Sequence, residues 1–110
     1  MNAPYKAIDF ILENAAKFAK AKSERIYLDE FRRVKRALLM KQAMEMGYES
    51  AVAQEREAYA HSEYEELLRG LAVAVEQEEL LRWKLTAATL KTEIWRTESA
   101  NERNGIKATE

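Results

Sequence analysis

Glycine and proline are almost missing from this chain, and that restricts its fold more than any other feature. There are three glycines and one proline in 110 residues. Pro4 stands at the start, and no further breaker occurs until Gly47. From Ser62 to Thr97 the only interruption is Gly70, which weakens a helix mildly. A β protein needs a turn every few residues and more punctuation than this. Ala, Glu, Lys, Leu and Arg dominate instead, as in long helices. The expected class is all-α.

Periodicity places the helices. Apolar residues recur at Ile8, Ile11, Leu12, Ala15, Phe18 and Ala19, then at Tyr27, Phe31, Val34, Leu38 and Leu39. That stripe predicts one helix over about 4–46, although Ser23 leaves room for a second start. Proline fits a first helical turn, and Gly47 is the natural stop. Residues 48–61 read as a linker or short helix. Ser62-Glu63-Tyr64-Glu65 matches a capping box and predicts a second long helix over about 62–98. Residues 99–110 lose periodicity and are expected to fray.

The second long helix carries a heptad seam: Leu67, Leu71, Ala74, Glu78, Leu81, Leu85, Ala88, Thr92 and Trp95. Steps of four and three alternate throughout, as in a coiled coil or a bundle. Two helices of this length cannot close into a sphere, so the expected architecture is an extended helical hairpin. Such a hairpin leaves apolar surface uncovered, and self-association is the usual remedy. The expected oligomer interface is the C-terminal helix, through Leu67, Leu71, Leu81, Leu85, Ala88 and Trp95. Trp83 lies off this seam.

Several function classes lack their residues. There is no cysteine, hence no disulfide and no thiolate chemistry. His61 is the only histidine, too few for the usual zinc sites. No Gly-rich phosphate loop is present, and Glu76, Glu78 and Glu79 read as a solvated face. No cofactor, metal site or catalytic residue is expected. No apolar window is long enough to span a membrane, and no secretory signal is evident, which favours the cytoplasm.

Charge is more informative. The net charge of −1 conceals +4 over residues 1–46, −7 over 47–81 and +2 over 82–110. Lys17 to Lys41 alone balances at +6. Lys22, Arg25, Arg32 and Arg36 follow helical steps and share one side of a continuous helix. With Arg33, Lys35 and Lys41 they form a candidate surface for a nucleic-acid backbone, which rewards cations through counterion release. Tyr27 and Phe31 lie among them as core residues or stacking platforms. The competing reading pairs this basic segment with the acidic middle of the chain.

The layout resembles the UvsY recombination-mediator family of tailed phages. The likeness lies in Ala15-Ala16 and Lys22-Ser23, then in the run Arg32-Arg33-Val34-Lys35-Arg36-Ala37-Leu38-Leu39-Met40-Lys41 before Gly47. It continues in Glu63-Tyr64-Glu65, Leu80-Leu81-Arg82-Trp83, Ile94 and Arg96. It covers about residues 14–98. The family's Lys-Ala-Arg-Leu element has no exact counterpart; Lys35-Arg36-Ala37-Leu38 holds the same residue types in another order. The resemblance implies a small, helical, oligomeric, non-enzymatic protein in the host cytoplasm. It would bind single-stranded DNA and help a RecA-type recombinase displace single-strand binding protein. The alternative is a helical protein–protein adaptor with no nucleic-acid role.

Overall fold

A computed structural model describes residues 4–109. It contains three helices and, among the described residues, no strand: α1 (Tyr5–Glu45), α2 (Ala51–Ala60) and α3 (Ser62–Thr109). The first long segment is therefore one helix, continuous through Ser23. The Pro4 carbonyl accepts its opening bond, from the Ile8 amide at 3.0 Å.

Gly47 ends α1 as a left-handed residue, with φ at 106°. The Tyr48 amide reaches back to the Ala43 carbonyl, and the Gly47 amide to that of Met44, each at 3.1 Å. These two bonds form a Schellman cap, which needs the positive φ that glycine adopts without a Cβ penalty. Ser50 then caps α2, its hydroxyl accepting from the Ala53 amide at 3.1 Å.

Two sequence expectations need correction. The cap of α3 is His61, not Ser62. His61 ends α2 in an extended conformation. Its Nδ1 accepts from the Glu63 amide at 3.0 Å. Its carbonyl accepts from Tyr64 and Glu65 at 3.1 and 3.2 Å. Ser62 is already helical, and Glu65 pairs with Arg69 at 2.7 Å instead. Second, α3 does not stop near residue 98 but continues to Thr109. The stretch lacks an apolar period, yet it holds no proline, and Gly105 alone is not enough to end a helix.

The chain divides into two compact units: residues 21–78, and residues 4–20 with 79–109. In the first unit α1 and α3 run antiparallel. Arg25 meets Glu78 while Lys35 meets Glu63, so rising numbers on one helix match falling numbers on the other. This is the expected hairpin, closed by α2. Its small core holds Leu39, Ala58 and Tyr64, with Met40 packed against them. Ala21, Ala43 and Ala74 are also buried. Alanine at facing positions lets helix axes come close, toward the short end of the usual range of about 8–10 Å.

The predicted α3 seam is the covered face in both units. Leu67, Leu71, Ala74 and Glu78 are buried or half-buried in the first, and Leu81, Leu85, Ala88, Thr92 and Trp95 in the second. On α1 the covered face is rotated from the predicted stripe. Ala7, Ile11, Asn14 and Phe18 are covered in one unit, and Ala21, Arg25, Leu28, Arg32, Lys35 and Leu39 in the other. These positions again alternate four and three. Ile8, Leu12, Val34 and Leu38, expected in the core, are exposed. Long basic side chains tolerate seam positions because their methylene stems lie along apolar surface while the charge reaches a partner or water.

Candidate nucleic-acid interface

The seven cations predicted to face a nucleic acid do not form one free stripe. Arg25 turns inward. Its Nε donates to Glu78 Oε2 at 2.6 Å and its Nη2 to Oε1 at 3.0 Å. Glu78 is buried, so this acid is a seam partner and not part of a solvated face. The hydrogen bond to Glu78 raises the Arg25 guanidinium above its ordinary value, with burial opposing it. A two-point guanidinium–carboxylate contact of this kind fixes geometry as well as charge.

Lys35 Nζ lies 3.3 Å from Glu63 Oε2 and is mostly covered. Both residues answer to the acidic middle of the chain, as the competing reading required. Arg32 pairs within its own helix, its Nη2 2.7 Å from Asp29 Oδ1. Lys22, Arg33 and Lys41 are exposed and make no ion pair within 4.0 Å among the described residues.

Arg36 opens a site the sequence left unremarked. Its Nη1 donates to the Tyr59 hydroxyl oxygen at 3.0 Å and stands 4.0 Å from Glu55 Oε1. The bond to Tyr59 is the main influence raising the Arg36 guanidinium. Tyr59 meets Tyr64 edge to face, with ring centroids 5.3 Å apart at 81°. Together Arg32, Arg33, Arg36, Tyr59 and Tyr64 line an open cleft of about 180 Å³.

Tyr59 lies on α2 and Tyr64 on the first turn of α3, so the short helix and its His61 corner bring both to the basic face of α1. Of the two aromatics singled out from sequence, Tyr27 is exposed and Phe31 half-buried, and they stack on each other at 5.8 Å and 15°. Among the described residues no three carboxylates or histidines gather as metal ligands. No described helix is long and apolar enough to cross a membrane.

Set against models of known protein families, curated proteins and solved structures, the chain matches none. The site therefore rests on its own chemistry.

That chemistry is guanidinium donors set beside an aromatic ring. Guanidinium groups offer forked donors suited to phosphate. An accessible tyrosine next to them offers a π-face to any base.

Proposed function

We propose that this protein is a non-enzymatic, oligomeric accessory protein that binds single-stranded DNA through the basic face of α1. The convergence of Arg32, Arg33 and Arg36 with Tyr59 in an open cleft carries this reading. Lys22 and Lys41 extend it as exposed phosphate contacts. Arg25 and Lys35 have no part in it, because Glu78 and Glu63 hold them. The resemblance to the UvsY mediators supplies the context, in which single-strand binding protein gives way to a RecA-type recombinase.

Fluorescence anisotropy with a labelled single-stranded oligonucleotide tests the reading directly. Micromolar binding at low salt, weakening steeply as salt rises, is the expected result. A folded protein that fails to bind at low salt would refute it.

Self-association belongs to the same proposal, but its face is not the predicted seam, which the chain itself covers. The exposed apolar residues of α3 in the unit containing residues 79–109 are Leu80, Trp83, Leu90 and Ile94. Their steps of three, seven and four repeat a heptad on an uncovered side, the pattern a second helix would fill. Tyr5, Ile8 and Leu12 of α1 are exposed in that unit too. A second copy of this chain is the occupant. Trp83→Asp with Leu90→Asp is expected to shift the sedimentation coefficient to the monomer value while helicity persists. Unchanged sedimentation would remove this face from the assembly.

A second reading is a protein–protein adaptor. Arg25–Glu78 and Lys35–Glu63 favour it, since part of the basic segment serves to hold the hairpin together. It takes precedence if the oligonucleotide does not bind.

A further inference from the structure

The cleft has an internal arrangement that a merely basic surface would lack. Tyr59 is 46% exposed, whereas Tyr64 beside it is 8% exposed. The buried ring supports the exposed one, and their edge-to-face contact limits how Tyr59 tilts. The Arg36 guanidinium is bonded to the hydroxyl of that same ring. A cation and an accessible aromatic ring are thus held side by side, much as a phosphate and its own base are side by side within one nucleotide. Arg33, exposed and without a carboxylate partner among the described residues, adds an uncommitted cation on the same cleft. Arg32 is partly neutralised by Asp29.

We propose that this cleft is a single-nucleotide subsite: Tyr59 stacks on one base while Arg33 and Arg36 hold the adjoining phosphate. The inference rests on the single-stranded-DNA reading and adds to it a reason for strand preference. A base within a duplex is stacked on both faces and has none free for Tyr59. An unpaired strand turns its bases out at small cost, and stacking accepts any base because each has a π-face. The cleft therefore reads strandedness and not sequence. Phosphate contacts at Lys22 and Lys41 would serve either form of DNA; the tyrosine serves only one.

The test uses the full chain and three labelled probes of equal length: oligo-dT, the same backbone with abasic sites throughout, and a duplex. Tyr59→Ala is expected to weaken oligo-dT binding about 5- to 100-fold, the range of one lost base–aromatic stack. Binding to the abasic strand and to the duplex should not change. Tyr59→Phe keeps the ring and should stay within a fewfold of the parent on oligo-dT. Circular dichroism of each variant verifies the fold, which an exposed ring at the cleft mouth does not support alone.

Equal weakening of the base-bearing and abasic strands would overturn the subsite. The ring would then only position Arg36, and the broader DNA-binding reading would stand. If the parent protein binds none of the probes, subsite and DNA reading fall together.

Discussion

Leu39→Ala lowers the melting temperature by roughly 10–20 °C, as expected for a core leucine truncated in a domain of this size. Leu39 is 4% exposed and sits in a buried cluster with Ala58 and Tyr64. Those neighbours come from α2 and α3, so the cavity left by alanine on α1 would loosen the corner at which the three helices meet. Ala58 has no exposed surface and no larger side chain with which to fill the void. Helix backbones relax only partially around such losses. Leu38 is the internal control. It is the adjacent residue, equal in chemistry and 54% exposed, and Leu38→Ala should change stability by no more than about 0.5 kcal/mol. Thermal unfolding followed at 222 nm compares the two directly. Equal effects would mean that the corner cluster does not anchor the hairpin.

The same pair of leucines marks how far the sequence can be read. Scarcity of glycine and proline makes the helices legible, and Gly47 marks the end of α1 because a left-handed residue is needed there. The α3 seam is legible because a four–three alternation runs unbroken over nine positions. On α1 two registers one residue apart compete. One is apolar and holds Ile8, Leu12, Ala15 and Ala19. The other holds Ile11, Asn14, Phe18, Arg25 and Lys35 and is the one covered. Ranking by hydrophobicity selects the wrong one, because it treats Arg25 as a solvent residue.

The missing information is pairwise. Glu78 on the α3 seam has to meet a cation, and only the antiparallel register reveals that Arg25 is opposite it. The three-, four- and seven-residue steps of Lys22, Arg25, Arg32 and Arg36 describe a solvent stripe and a packed seam equally well. Two of these cations, Arg25 and Arg32, lie on the seam.

The cleft was illegible for a related reason. Tyr59 and Tyr64 are separated by the α2–α3 corner, so no helical spacing links them, and neither has a sequence relation to Arg36. The corner depends on His61 acting as a cap, a role more often filled by Ser, Thr, Asp or Asn. Ser62 next to it offers a more conventional cap in the sequence, and the real helix begins one residue earlier.

Reversing Arg32, Arg33 and Arg36 together to glutamate is expected to abolish detectable binding to single-stranded DNA. Each phosphate contact on a single strand contributes a salt slope of about 0.7. Arg33 and Arg36 share one phosphate and Arg32 reaches at most one more, so the slope falls by about 0.7–1.4 and the affinity at 0.1 M salt by roughly 5- to 25-fold, and repulsion from three new carboxylates removes the rest. The fold should survive. Arg33 has no ion-pair partner among the described residues, the Arg32 ion pair lies within its own helix turn, Arg36 gives up its bond to Tyr59, and the hairpin retains Arg25–Glu78 and Lys35–Glu63. Far-UV circular dichroism and sedimentation of the triple variant should match the parent. The informative comparison is with Lys35→Gln, which removes a cation from the same stretch of sequence but from the covered seam. It should leave the salt slope unchanged, because Glu63 already occupies that ammonium. If Lys35→Gln lowers the slope as much as a change at Arg33, the strand follows the sequence's basic run and not the cleft, and the interface must be redrawn around the seam.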